Sequence, residues 1–411
     1  MIMKYFLALA ALLCLLAPVA AQTQTDDEVV KINTNLVQVD VVVTKDGKPV
    51  TNLKAEDFEI FENGRRQTIT SFAYISNVAN AATSTSSPQK EDPNAPETAG
   101  TTTTTPNVNR RVLAIVIDDL GLSVQSTSEI RRQMRRFLDE QWDRNDLLAF
   151  VFTSTAKKVK PHFTNDRNVL DRAWEQIIWN HCSRVGTVAV ARLSGPPGDG
   201  CGAYNSQPSD TMDSLRATVD AMGELPGRKS MLVLSDSMPL RDKETLIKPG
   251  SSVTSADEPR GDPRNYRASL NRLTEKAIRA SVVIYTVDAS GLQVTGLRAS
   301  DEFSDTRAPG NMAYNVMLRM RSEMIQHNRE AAAALAKDTG GFLIKDQNHF
   351  QFDKILEDQS GYYLIGYRPS SETFDKKFNE LRARVKKSGM TVRTRSGFFG
   401  MTEDEAKSQK K

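Results

Sequence analysis

Two short apolar runs in this chain end in carboxylates. Val112 to Ile117 leads into Asp118-Asp119, with Ser123 four residues beyond Asp119, and Met231 to Ser235 leads into Asp236. If both runs are neighbouring central strands of one sheet, their carboxyl ends bring Asp119, Ser123 and Asp236 into one crevice. Two carboxylates, a hydroxyl and water form an oxygen-only set of the kind that holds a hard divalent cation, Mg2+ or in its place Mn2+ or Ca2+. A hydroxyl ligand leaves the ion's charge uncancelled, so the ion still attracts a carboxylate from another molecule. Asp118 adjoins Asp119 and, if the strand continues through it, points to the opposite face. It is expected behind the ligands or as a helix-capping acceptor, with direct contact to the ion as the alternative. The same residue types also have a plainer use, because Asp and Ser after a strand cap the next helix by accepting its first backbone N–H groups.

Other chemistries fit less well. An aspartyl nucleophile of the phosphatase kind wants Asp-x-Asp after the first strand, whereas Asp118 and Asp119 are contiguous and followed by Leu120-Gly121. No Gly-x-Ser-x-Gly elbow accompanies His162, His181, His327 and His349, which sit in dissimilar contexts. Neither a phosphate-cradling loop nor a dinucleotide glycine motif is present. These absences point to a protein that binds rather than catalyses. Tyr362, Tyr363 and Tyr367 alternate as strand residues do and are expected to pack.

The acidic runs need a scaffold, and the pattern after Arg110 supplies one. Apolar strands at Val112 to Ile117, Leu147 to Thr153, Ser230 to Ser235, Val282 to Val287 and Phe342 to Lys345 alternate with amphipathic stretches. The stretches run from Ser123 to about Gln141, then Val169 to Ile178, Thr211 to Met222, Tyr266 to Ala280 and Arg329 to Lys337. Such alternation predicts an α/β domain over residues 110–347 with a doubly wound, mostly parallel sheet covered on both faces. Ligands of these sheets bind beyond the carboxyl ends of the strands, where the strand order reverses. Lys157 to Phe163 is expected as a short edge. Residues 28–76 read as a small antiparallel β module: Val37, Val39, Val41 and Val43 alternate up to Asp46-Gly47, and Phe58 and Ile60 lead to Asn63-Gly64. Residues 348–400 form a C-terminal β extension with strands at Tyr362 to Tyr367, Asn379 to Val385 and Met390 to Arg395. Whether it joins the first module or the main sheet is left open by the pattern.

Composition frames the rest. The 411 residues are 39% hydrophobic and 26% charged, enough for two or three folded domains. With 54 basic against 51 acidic residues the net charge is only +3, too even for a protein that works by neutralising phosphates, so nucleic acid is not an expected partner. Lys4, the apolar run Tyr5 to Leu16, Pro18 and the small pair Ala20-Ala21 have the three-part pattern of a secretory signal cleaved near Ala21. The run is too short to span a bilayer, and Leu13 before Cys14 argues against a lipid anchor. The mature protein is therefore expected to be secreted or periplasmic, with no integral membrane span. Its two remaining cysteines, Cys182 and Cys201, flank a Gly/Pro-rich stretch and in that compartment are expected to form a disulfide. Residues 77–109, rich in Ser, Thr and Pro, read as a disordered linker, and 401–411 as a disordered tail.

With these elements in place a family resemblance emerges. Asp119-Leu120-Gly121-Leu122-Ser123 after one buried strand, and Leu232-Val233-Leu234-Ser235-Asp236 after another, resemble a von Willebrand factor type A domain and its metal-ion-dependent adhesion site. The layout around Val39 to Ile60, Tyr285 to Leu292 and Gly361 to Tyr367 is similar to that of the secreted von Willebrand A-related proteins of acidobacteria. The resemblance covers nearly all of residues 30–400. It implies an adhesion-type protein that holds an exposed carboxylate of a protein partner through a divalent cation. Asp119 and Ser123 would be ligands through the first motif, and Asp236 the acidic member. The family's threonine falls in the stretch Ser206 to Thr211, where Ser209 and Thr211 are both candidates and spacing to Leu215 favours Ser209. Gly121 stands where the family has its first serine. Water must then fill that position, with affinity falling as it does when partners are lost at metal sites, about 10- to 100-fold. The alternative is a structural or assembly module of the cell envelope that needs no metal.

Overall fold

A computed structural model describes residues 36–77, 110–156, 160–180, 208–236, 238, 263–291, 310–345, 350–369 and 377–400. The expected signal, linker and tail, the Cys182–Cys201 disulfide and the side chain of Ser209 lie outside the described residues.

The chain begins with β1 (Val37–Lys45), β2 (Lys48–Pro49), β3 (Phe58–Glu62), β4 (Arg65–Gln67) and β5 (Ile69–Ser76). The turn after β1 holds Asp46 and Gly47 at φ 50° and 81°, and that after β3 holds Asn63 and Gly64 at 49° and 78°, the left-handed pairs that let two-residue hairpins follow strand twist. An alternating β/α series follows: β6 (Val112–Ile117), α1 (Val124–Glu140), β7 (Leu147–Phe152), α2 (Arg167–Glu175), α3 (Pro208–Gly223), β8 (Lys229–Ser235), α4 (Pro263–Arg279), β9 (Val282–Asp288), α5 (Gly310–Thr339), β10 (Leu343–Ile344) and α6 (Phe352–Gln359). The described chain closes with β11 (Gly361–Tyr367), β12 (Phe378–Val385), β13 (Thr391–Arg393) and β14 (Gly397–Phe399).

Strands β6 to β10 form one parallel sheet in the order β10-β9-β8-β6-β7. Every residue of β6, β8 and β9 is buried, as a sheet covered on both faces requires. Alternation sorts their side chains. Leu113, Ile115, Ile117, Leu232 and Leu234 pack with Ile130, Met134 and Phe137 of α1 and with Phe352 and Ile355 of α6. Ala114, Val116, Met231 and Val233 pack with Met212, Leu215 and Val219 of α3, Leu273 of α4 and Leu335 of α5. The sheet is thus doubly wound. From β6 the chain steps out to β7 and returns across β6 to β8, so the order reverses between β6 and β8. Lys157 to Phe163 contributes no strand among its described residues; a single antiparallel bridge joins Leu148 to Thr164 instead.

The terminal strands belong together. One antiparallel sheet runs β13-β1-β11-β5 with β2 against β1, and the other runs β14-β12-β3-β4. Val39, Val41, Phe58, Ile60, Tyr363, Ile365, Tyr367 and Leu381 form one core with partners from both ends of the chain. Tyr363 accepts from Leu53 N–H (3.0 Å) and donates to the Val50 carbonyl (2.8 Å), and the Tyr367 hydroxyl donates to Glu62 Oε2 at 2.6 Å. These tyrosines are packing residues with satisfied tips.

A buried charged cluster joins the sandwich to the α/β sheet. Arg228, just before β8, lies 3.7 Å from Asp40 of β1 and 4.0 Å from Asp358 of α6, and its guanidinium sits 5.0 Å from the Tyr362 ring. Asp358 also meets Arg393 of β13 and accepts from the hydroxyl of Tyr285 in β9. Among the described residues no helix is long and apolar enough to cross a membrane.

Candidate functional site

At the end of β6 the chain turns sharply, and the turn decides where the two acids go. Asp118 N–H still bonds to the Leu234 carbonyl (3.0 Å), but Asp119 N–H bonds back to Ile117 O (2.9 Å) and Gly121 N–H to Asp118 O (2.7 Å). Strand alternation therefore stops at Ile117, and Asp118 does not face away from Asp119 as a continued strand would have it. Both carboxylates meet the hydroxyl of Thr153, at 2.9 and 3.0 Å.

Asp118 is the hub. It is fully buried, and its Oδ1 accepts from Thr153 after β7 and Thr211 in the first turn of α3, each at 2.9 Å. Its Oδ2 accepts from Ser235 of β8 at 2.7 Å. One carboxylate thus ties three elements to the end of β6. Asp119 leans toward β7, taking the Ser154 N–H on Oδ1 (2.9 Å) and the Ser154 hydroxyl on Oδ2 (2.5 Å). Burial pushes its pKa up, against the pull of the Ser154 and Thr153 donors.

Ser123 caps α1. Its Oγ accepts from Ser126 N–H at 3.1 Å, while its own N–H donates to Asp236 Oδ2 at 2.8 Å. Asp236 is 9% exposed, and among the described residues its other oxygen, Oδ1, has no hydrogen-bond partner. Burial pushes its pKa up against the pull of the Ser126 hydroxyl and of the Ser123 N–H and hydroxyl, and the charge of Asp288 adds to the rise. Of the two threonine-position candidates, Thr211 reaches Asp118, and Ser209 lies on the first turn of α3.

A third acidic strand end completes the rim. Asp288 closes β9, paired in register with Ser235. Its Oδ2 accepts from Arg329 Nε of α5 at 2.8 Å, and its Oδ1 from Ser290 N–H at 3.2 Å and from the Ser290 hydroxyl. Reading for chemistry passed over Asp288, although the same signal was present: a buried apolar run, Val282 to Val287, ending in a carboxylate.

No family model and no curated protein matches the chain.

Starting the adhesion motif at Asp118 instead of Asp119 puts Leu120 and Leu122 at its hydroxyl positions, and both are buried apolar residues. Among the described residues no group of three or more His, Cys, Asp or Glu side chains is arranged to hold a metal ion. An ion here would rest on one or two carboxylates, hydroxyls and water. The donors suit a hard cation in type, and the orphaned, buried Asp236 Oδ1 is a carboxylate oxygen of the kind such an ion would satisfy.

Proposed function

We propose that the chain is a secreted, non-catalytic binding protein of the von Willebrand A type. In this reading it holds an acidic group of a partner protein through a divalent cation at the carboxyl end of the parallel sheet. The observation that carries it is Asp236 Oδ1, a buried carboxylate oxygen that among the described residues has no hydrogen-bond partner, at the point where the strand order reverses. A buried carboxylate oxygen left without a donor costs stability, and a cation would offset that cost. Asp236 would hold the ion. Asp118, with the Thr211 and Ser235 hydroxyls on it, would supply the negative background that draws it in, and Ser123 N–H orients the Asp236 carboxylate. The bound ion would supply a positive charge with an open coordination position. The test is capture of envelope and culture proteins by the immobilised full chain, with and without chelator and with Asp236→Asn. Capture lost in both cases supports the reading, and capture indifferent to both contradicts it.

One observation favours the second reading, a metal-independent module of the cell envelope. The Ser123 hydroxyl is used as a helix cap, and both oxygens of Asp118 already accept from hydroxyls. On that reading capture survives chelation and fails when the β sandwich is disrupted.

A further inference from the structure

The charged seam between the sandwich and the α/β sheet holds donors that nothing around them serves. The side chain of Arg228 is only 5% exposed, and among the described residues its Nε and Nη1 have no hydrogen-bond partner. Asp40 stands 3.7 Å and Asp358 4.0 Å away, close enough to act as charges but beyond hydrogen-bond reach. Asp358 is already taken up, by Arg393 at Oδ1 and by the Tyr285 hydroxyl at Oδ2. Buried nitrogens without an acceptor among the described residues recur beside it: Nε of Arg393, Nε of Arg395, and Nε2 of Gln359. Native folds leave few such groups unserved, and an ion or a water is the usual reason where they do.

The charge balance says which of the two it is. Burial lowers the pKa of Arg393 and the charge of Arg228 adds to the fall; burial likewise lowers that of Arg395, against the pull of Asp40. These groups therefore share one neighbourhood, in which three guanidiniums meet the two carboxylates Asp40 and Asp358. Glu62 belongs to another contact, accepting from the Tyr367 hydroxyl. The tyrosines of the seam stay neutral, because burial raises the pKa of Tyr285 and pushes that of Tyr362 up to about 12. We propose that a small monovalent anion of the chloride kind binds in this seam on Arg228, between β1, β13 and the start of β8, with Arg393 and Arg395 adding to its hold. Water accepts from the same nitrogens but leaves the surplus positive charge buried, whereas an anion answers both. Asp40 and Asp358 set the valence, since they repel a divalent oxyanion twice as strongly as a monovalent ion. The site is independent of the cation reading: Arg228 precedes β8 and Asp236 follows it.

Thermal melting of the full chain in chelator, with chloride replacing gluconate at constant ionic strength, tests the proposal. An anion bound only by the folded state raises the midpoint by about 2 °C or more at ten times its Kd. Two variants that keep Arg228 give the assignment a sign, each read against its own midpoint in gluconate. Asp40→Asn removes a charge that repels the anion and is expected to tighten chloride binding several-fold, and Arg395→Gln removes one that attracts it and is expected to weaken binding several-fold. A seam filled by water, or one that is merely structural, shows no dependence on chloride and no such opposition between the variants. Equal wild-type midpoints in chloride and gluconate overturn the proposal. So does a chloride effect that the two variants shift in the same direction or leave unchanged, which would place the anion elsewhere on the protein.

Discussion

Asp236 is the residue on which the account turns, and its protonation gives it a measurable signature. Burial raises its pKa above the ordinary 3.8. Between 3.8 and the raised value the folded state keeps a proton that the unfolded chain releases, so stability falls as pH rises through that window and is flat on either side. Asp236→Asn keeps an acceptor for Ser123 N–H and removes the titration. The variant should match wild type below pH 3.8 and gain on it as pH rises through that window. Urea unfolding across pH in chelator checks this. A variant less stable than wild type at pH 7 would mean that the carboxylate is better served in the fold than its free oxygen implies. Asp119, also raised by burial, has the same sign and cancels in the comparison.

Elements place these residues, and how far they can be read from sequence depends on how local their causes are. β6, β8 and β9 are continuous apolar runs with sharp ends, so they stand within a residue of their expected bounds, and the neighbouring of β6 and β8 follows from their being the central runs. What failed was the alternation rule at Asp118, because a turn set by Ile117 O and Asp118 O overrode it. Asp288 was legible by the same signal as Asp236 but lies beyond the motif. In α5 only Arg329 to Lys337 reads as amphipathic, yet the helix spans 30 residues; in the sequence Met312, Ala313, Tyr314, Val316, Met317 and Leu318 make a nearly continuous apolar run, which hides the helical period. The Asp358 cluster had no local signal at all, since Arg228, Asp358, Tyr285 and Arg393 are far apart in sequence. It is testable at this scale. Asp358→Ala leaves Arg228 and Arg393 buried without their shared acid and should cost about 3–5 kcal/mol in urea unfolding. A cost below 1 kcal/mol would show that the cluster does not join α6, β9 and β13.

At the scale of the whole chain, the sandwich is assembled from strands more than 280 residues apart. β1 lies between β11 and β13, and β3 between β12 and β4. A fragment of residues 36–77 therefore lacks two of the five strands of one sheet and two of the four of the other and should be unfolded, seen as a random-coil circular dichroism spectrum and collapsed amide dispersion in NMR. A folded fragment would contradict the shared core of Val39, Phe58, Tyr363 and Leu381. The same assembly seats one end of the chain's β structure on the α/β sheet through Arg228 and Asp40, leaving the carboxyl ends of β6, β8 and β9 as the acidic rim. With a nearly even overall charge, the proposed partner recognition would rest on that rim rather than on the surface at large.

The most direct measurement is calorimetry of Mg2+ binding to the full chain and to Asp236→Asn under identical conditions. The account predicts one site per chain with saturable heat in wild type and none in the variant. Equal heats in the two proteins, or none in wild type at millimolar Mg2+, would contradict it.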